Sequence, residues 1–372
     1  MNPSYQSAHH GHNDRPCRPF PSSPITVYAW GMKIKELGEF GLIERITRLL
    51  PPYSWEVVVG VGDDVAVLNT PQDHYLLLTC DIQVEGSHFL PDTPPRLLGR
   101  KAAAVNLSDI GAKGGEPLHF LASLALKPET PVDWVEEFYR GLREEAQTFG
   151  ADIIGGNLSS TRGPQVLDIF LMGRVEKERL LLRRGARPGD VVMVTGELGN
   201  AHGGLLILTR DQLGEALPPE ARKPLLDAFL TPTPRVKEGR AIASTGRATA
   251  MLDISDGLAQ DLLHICQASE VGARIWADRI PISPALEKLA RTLQVPSWPL
   301  ALEGGEDYEL CFTVPRTHAR EVSQKVEKAT GTRVTAIGEI LASPRERILV
   351  TPQGEEIPLT PRGWNHFREE KK

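Results

Sequence analysis

The chain has 372 residues, of which 41% are hydrophobic and 24% are charged, and its formal net charge is −6. This length predicts two domains with a core each, the composition is ordinary for a soluble globular protein, and the acidic balance argues against nucleic acid as the main partner. No apolar run approaches the roughly 20 residues of a membrane span. Four scattered cysteines without a C-x-x-C pair argue against a zinc site or a disulfide framework and favour the cytoplasm.

The predicted elements begin after residues 1–31, a polar, proline-containing segment that we expect to be a disordered extension. Residues 32–180 are then expected to form the first α/β domain and residues 181–372 the second, because strong turn residues lie near this boundary. In the first domain, strands are predicted at 54–68, 74–84, 118–126, 152–154 and 166–175, and helices at 95–113 and, capped by Asp133, at 134–149.

The second domain repeats this alternation. A buried strand at 191–195 precedes an alanine- and leucine-rich helix and a polar helical region at 214–246. Further strands are predicted at 249–254, 273–277, 309–314, 334–340 and 347–350, and further helices at 258–268, 284–293 and 318–330. The pattern predicts a mixed α/β fold in two lobes of similar size.

Short acidic segments beside apolar or small residues are the main functional signal. They lie at 62–64, 79–81, 106–109, 253–257 and 304–307. Carboxylates at strand ends are positioned to meet at one rim of a sheet, where they repel one another unless cations lie between them. Oxygen ligands of this kind select Mg²⁺ or a similar ion. The sequence therefore predicts a polyphosphate site assembled through metal ions.

Local alternatives exist for three of these signals. Segment 106–109 falls late in a predicted helix and also suits a polar patch in a solvated turn. Ser255 or Asp256 is a plausible helix N-cap, whereas Asp253 needs a partner if it is buried. The glycines at 155 and 156 permit either close approach to a ligand or a tight turn.

Common nucleotide-binding motifs are missing from the sequence. There is neither a phosphate-binding G-x-x-x-x-G-K-[ST] loop nor a protein-kinase signature set. Arg183 suits bidentate phosphate contact, although single arginines are more often surface residues. His88 is by itself more typical of a structural histidine, and Trp364 suits either a core position or a stacking surface.

Taken together, the segments resemble the thiamine-monophosphate kinase family, within the superfamily of aminoimidazole ribonucleotide synthase and selenophosphate synthetase. The resemblance runs from about residue 35 to residue 367. It is carried by the acidic segments and by Gly-Glu-Phe at 38–40, His-Phe at 88–89, Gly-Gly-Asn at 155–157, 183–190, Gly-Gly-Glu-Asp-Tyr-Glu-Leu at 304–310 and Gly-Trp at 363–364.

The resemblance implies ATP-dependent phosphorylation of thiamine monophosphate to thiamine diphosphate by a cytoplasmic homodimer whose N-terminal domains join strands across the interface. It implies several Mg²⁺ ions, no catalytic side chain, and three groups of contact residues. The implied metal ligands are Asp64, Thr79, Cys80, Asp81, Asp109, Asn157, Asp253 and Asp256. The implied ATP contacts are Tyr139, Gly156, Asn157, Arg183 and Ser255. The implied acceptor contacts are His88, Glu306 and Trp364.

The chain departs from the family pattern at three positions. Asn157 stands where many members have aspartate, Cys80 replaces a common threonine or serine, and Asn200 begins a pair that is often Asp-Ser. These departures leave two alternatives open, a sibling enzyme that uses ATP on another small molecule and a catalytically inactive nucleotide-binding protein. Fold-level similarity does not separate them, because substrate choice rests on few residues.

Overall fold

The computed structural model describes residues 33–361. Helices α1–α11 cover, in chain order, Ile34–Thr47, Pro95–Ala112, Val132–Thr148, Asn200–Thr209, Asp211–Ala216, Pro219–Leu230, Val236–Ala243, Leu258–Ser269, Pro284–Leu293, Ser297–Glu303 and Ala319–Thr330. Strands β1–β13 cover Val57–Val59, Ala66–Asn69, His74–Val84, Glu116–Leu126, Asp152–Ser160, Val166–Glu176, Asp190–Thr195, Ala250–Asp253, Gly272–Trp276, Leu310–Pro315, Val334–Leu341, Arg347–Val350 and Glu356–Pro358.

Two mixed sheets organise these elements, and they confirm the predicted α/β fold. The first sheet has the strand order β1-β2-β3-β6-β4-β5, and the second has the order β13-β12-β9-β11-β7-β10-β8. Each sheet has its own buried hydrophobic cluster. The sheets lie on either side of residue 180, but the domain bounds 32–180 and 181–372 stay predictions, and residues 1–31 lie outside the described part of the chain.

Several predicted elements differ from the structure. The strand predicted at 54–68 is wrong, because Gly62 has a φ of 120° and the chain turns there between β1 and β2. The helical region predicted at 214–246 is divided into α5, α6 and α7. Asp133 does not cap α3, since the helix already begins at Val132, directly after Pro131. The short elements α10 and β13 had no sequence signal.

Helix α2 connects the two lobes. It contacts β3 and β6 of the first sheet, and it also contacts β8 of the second sheet and α7. Thirteen of its 18 residues are buried, including polar ones, as expected of a helix enclosed on all sides. The polar residues of its last two turns therefore face protein rather than water. Within residues 33–361, none of the helices is long and apolar enough to cross a bilayer.

Candidate active site

Two of the acidic segments meet through α2. The Ser108 hydroxyl donates a hydrogen bond of 2.6 Å to Oδ2 of Asp253, which ends β8 in the second lobe. On the neighbouring residue, Asp109, Oδ2 accepts a hydrogen bond of 2.5 Å from the Thr79 hydroxyl on β3. Asn106 and Ser108 are fully buried. The alternative of a solvated turn at 106–109 is therefore wrong.

A cluster of three carboxylates, Asp64, Asp109 and Asp253, forms where these elements meet. Each offers one oxygen atom, and the three atoms all lie within 4.8 Å of one another. Asp81 lies beside the cluster, and its buried Oδ2 has no hydrogen-bond partner within residues 33–361. Burial raises the pKa of Asp81 to about 6, and the charge of Asp168 adds to this effect.

Asp253 and Asp109, two members of the cluster, also resist ionisation. Burial, with the charge of Asp64, raises the pKa of Asp253 to about 7. Burial, together with the charges of Asp81 and Asp253, raises the pKa of Asp109 well above its ordinary value. Carboxyl groups held this close must share protons or a cation. Closely spaced oxygen donors, one of them lacking a hydrogen-bond partner, fit a hard divalent cation such as Mg²⁺.

Two basic groups compensate part of this charge at Asp64. The fully buried Lys113 ammonium lies 2.5 Å from Oδ1 of Asp63 and 2.5 Å from Oδ2 of Asp64. Nε of Arg183 donates a 2.6 Å hydrogen bond to Oδ1 of Asp64. Burial acts to raise the pKa of Asp64, but Arg183 and Lys113 together hold it below its ordinary value. Asp64 is therefore the member of the cluster that stays ionised most easily.

A second acidic group adjoins the start of α8. Oδ2 of Asp261 accepts hydrogen bonds from the backbone N–H groups of Ser255, Asp256 and Gly257, at 3.0, 3.1 and 3.0 Å. The prediction of Ser255 or Asp256 as an N-cap is therefore wrong, because Gly257 holds that position. Asp261, inside the helix, instead binds the N–H groups of the loop that precedes it. Burial, with the charge of Glu39, raises the pKa of Asp256 to about 7.

Asn157 and Cys80 lie apart from the carboxylate cluster. Strand register pairs Asn157 with Ser123, Ser123 with Asp168, and Asp168 with Ile82. Because neighbouring residues on a strand alternate between faces, Asn157 and Cys80 share one face of the sheet and Asp81 points to the other. Three strand spacings, about 14 Å, also separate β5 from β3. Within one described chain, Asn157 does not reach the cluster.

Close packing of the main chain explains the glycine at position 156, which the sequence did not indicate. It lies inside β5, and a Cβ at this position would sit 2.0 Å from the carbonyl oxygen of Ala122 on β4. Neither expected role, a tight turn or a ligand contact, is needed to explain the residue. Tyr139 on α3 lines a separate cavity of about 360 Å³ with Glu136, Arg140, Arg143 and Ile153.

Two predicted acceptor contacts, His88 and Glu306, approach one lysine. Nζ of Lys101 on α2 lies 2.9 Å from Oε2 of Glu306 and 3.4 Å from the backbone oxygen of His88. Nδ1 of His88 accepts a 3.1 Å hydrogen bond from the backbone N–H of Val84. Trp364 lies outside the described residues.

Sequence reasoning missed three residues of the site, Lys113, Asp261 and Lys101. Lys113 follows an apolar helix and precedes two glycines, which is a pattern shared with many ordinary helix ends. Asp261 lies one helical turn beyond Gly257, whereas an N-cap residue stands before the first turn of its helix. Lys101 stands among apolar residues of α2, and an unpaired lysine is rarely buried. The lysine among apolar residues at position 101 was the one feature of the sequence that could have indicated any of these three residues.

Comparison with known proteins agrees with this geometry. The family described as AIR synthase related protein matches at residues 62–175 with its N-terminal domain and at 187–351 with its C-terminal domain. Thiamine-monophosphate kinase of Escherichia coli K12 is 38% identical over 89% of this chain and 98% of its own length. The Bacillus subtilis enzyme of that name is 35% identical over 89% of this chain and 100% of its own.

A solved structure extends the match to three dimensions. AaThiL complexed with AMPPCP and TMP has a TM-score of 0.78 and 35% identity, over 91% of this chain and 100% of that one. The two lobes, with acidic residues of both meeting at α2, define an AIR synthase related protein. Within that class, the chain belongs to the thiamine-monophosphate kinase family.

We predict that Mg²⁺ raises the melting temperature more at about pH 8 than at about pH 5.5. In the folded chain, the pKa values of Asp81 and Asp253 are raised to about 6 and about 7, so these groups largely keep their protons at the lower pH. In the unfolded chain, their pKa is near 3.8 and the protons have been released. Without a cation, stability therefore falls as the pH rises through this range. Binding of a cation to the ionised groups offsets that loss of stability. Scanning fluorimetry with and without Mg²⁺ measures the change in melting temperature.

Two variants control this experiment. Asp253→Asn should lose most of the Mg²⁺ effect, whereas Asp73→Asn, an exposed residue in the turn before β3, should keep it. Equal Mg²⁺ effects at both pH values would contradict the prediction.

Proposed function

We propose that the protein transfers the γ-phosphoryl group of ATP to thiamine monophosphate, forming thiamine diphosphate and ADP, in thiamine diphosphate biosynthesis. The observation that carries this proposal is the meeting of Asp64 and Asp109 from one lobe with Asp253 from the other, in a chain of this family. The complex of the related AaThiL with AMPPCP and TMP supports the same pair of substrates.

Several Mg²⁺ ions are part of this proposal. Asp64, Asp109 and Asp253 would hold one ion between them, and Asp81 and Asp256 would provide further oxygen ligands. Thr79, through Asp109, and the backbone oxygen of Cys80 would complete this set. Asn157, on the other face of the first sheet, would serve a separate ion. When bound, Mg²⁺ offsets the negative charge of the phosphates and aligns them.

Direct in-line transfer fits the side chains of the site. An oxygen of the acceptor phosphate attacks the γ-phosphorus, the bond to the β–γ bridging oxygen breaks, and ADP leaves. A phosphate monoester is already ionised near neutral pH, so no side chain needs to remove a proton. The main obstacle is repulsion between two anions, and the Arg183 guanidinium, held by Asp64, lies beside the cluster to reduce it.

The two substrates would use different parts of the chain. We assign ATP contacts to Tyr139, Gly156, Asn157, Arg183 and Ser255. Tyr139 supports this assignment because it lines a cavity together with Arg143, which suits a polyphosphate, whereas Arg140 in the same cavity is paired with Glu136. We assign the acceptor to His88, Glu306 and Trp364, of which His88 and Glu306 both contact Lys101.

A cytoplasmic homodimer completes the proposal. β5 is an edge strand of the first sheet, and its side chains are exposed along almost its whole length. Ile154 and Leu158 on this strand are 61% and 66% exposed. An exposed apolar edge strand is a surface for pairing with another chain, and a second copy would cover it.

The activity is tested by product formation. We expect thiamine diphosphate, identified by mass, only when ATP, Mg²⁺ and thiamine monophosphate are all present, together with an equal amount of ADP. ATP turnover with another acceptor would indicate the sibling enzyme. ATP binding without any product would indicate the inactive nucleotide-binding protein.

Asp109→Asn should lower kcat by at least about a hundredfold, because it removes one charge from the metal ligands while keeping the shape of the side chain. Circular dichroism and the melting temperature should show an intact fold. Asp73→Asn removes an equal charge from an exposed turn and should leave kcat unchanged. Near-normal turnover by Asp109→Asn would exclude Asp109 as a principal ligand.

Leu158→Lys should shift the protein from dimer to monomer, because it places a charge on the exposed edge strand β5. Light scattering coupled to size exclusion measures the mass. Leu49→Lys serves as the matched control, since Leu49 is 80% exposed and lies after α1 rather than on a sheet edge. A wild-type monomer at micromolar concentration, or a dimer that survives Leu158→Lys, would contradict this interface.

A further inference from the structure

We propose that Lys101 is a positioning residue of the acceptor site, which it serves by holding the Glu306 carboxylate in place between the two lobes. This inference rests on the proposed function, since it takes Glu306 as an acceptor contact. Lys101 belongs to α2, whereas Glu306 belongs to the loop before β10 in the second lobe.

The surroundings of Lys101 identify it as more than a surface charge. Only 2% of its side chain is exposed, and burial of an ammonium group is unfavourable unless the group is paired. Nζ lies 2.9 Å from Oε2 of Glu306, 3.4 Å from the backbone oxygen of His88, and 3.7 Å from the centre of the Phe229 ring. One ammonium therefore contacts both described residues of the proposed acceptor site.

The backbone at Glu306 is constrained as well. Glu306 and Tyr308 have φ values of 65° and 52°, a left-handed conformation that is unfavourable for residues other than glycine. The backbone N–H of Glu306 donates a 2.7 Å hydrogen bond to the backbone oxygen of Ser255, and the Asp307 carboxylate accepts one of 2.6 Å from the Gly199 N–H. The second lobe thus holds the main chain at Glu306 in an unfavourable conformation.

These two constraints define the position of one carboxylate. The second lobe fixes the backbone of Glu306, and Lys101 fixes Oε2 from the first lobe. A quarter of the Glu306 side chain, 25%, stays exposed, so the carboxylate remains accessible to a ligand. A carboxylate in a defined position suits a ligand that carries a cationic ring and an amino group, as thiamine monophosphate does. Without Lys101, the carboxylate would be free to rotate away from this position.

The test is Lys101→Met, which keeps the length and apolar character of the side chain but removes its charge. We expect the KM for thiamine monophosphate to rise by about tenfold or more, whereas the KM for ATP and kcat change by about twofold or less. Titration calorimetry with thiamine monophosphate alone should show the same loss of affinity. Arg100→Met, which removes the neighbouring exposed charge of the ion pair with Glu145, is the matched control and should leave both KM values unchanged.

A double variant tests whether Lys101 acts through Glu306. If it does, Lys101→Met combined with Glu306→Gln should raise the acceptor KM little beyond Glu306→Gln alone. Multiplied effects of the two changes would overturn the proposal. A fall in melting temperature with both KM values preserved would also overturn it, because the ion pair would then be only structural. Failure of the wild-type protein to bind or phosphorylate thiamine monophosphate would instead refute the proposed function, and this inference with it.

Discussion

The fully buried ion pair of Lys113 with Asp63 and Asp64 is the interaction on which the rest of the site depends. An ammonium group with no access to water is tolerated only when carboxylates compensate its charge. This requirement draws the loop after β1 against the end of α2, and Arg183 extends the network toward the second lobe. The carboxylates that would bind metal are therefore held in place by charges within the chain, before any ligand arrives.

The network also explains why the carboxyl groups differ in their readiness to ionise. Asp64 is paired directly with two basic groups and has a lowered pKa. Burial raises the pKa of Asp81 and of Asp253, and at Asp253 the charges of Arg183 and Lys113 offset only part of this effect. Protons or divalent ions must supply the positive charge that compensates Asp81 and Asp253. A cation that bound to these carboxyl groups would therefore displace protons from them.

Much of the fold and part of the site followed from the sequence. Periodicity gave β3 and α9 with their correct ends, and the apolar run before Asp253 indicated a carboxylate at a strand end, whereas Asp81 lies inside β3. Local patterns could not indicate which residues meet across 100 or more positions, as Ser108 and Asp253 do. They also failed at Asp261, because a carboxylate inside a helix can bind N–H groups of the loop before that helix. The face of the first sheet on which Asn157 lies depends on strand register, which is set by the whole sheet.

The continuity of α2 from Lys101 to Asp109 has a consequence for the spacing of the residues proposed to bind substrate and metal. Lys101 and Asp109 lie eight residues apart on one helix, and the helical rise of about 1.5 Å per residue separates them by about 12 Å along its axis. The distance between Lys101, which contacts the proposed acceptor residues, and the carboxylate cluster is thus set by helix geometry rather than by loops. Insertion of one residue between them would rotate one end relative to the other by about 100°. Change in this family should therefore act on side chains along α2 and leave its length constant.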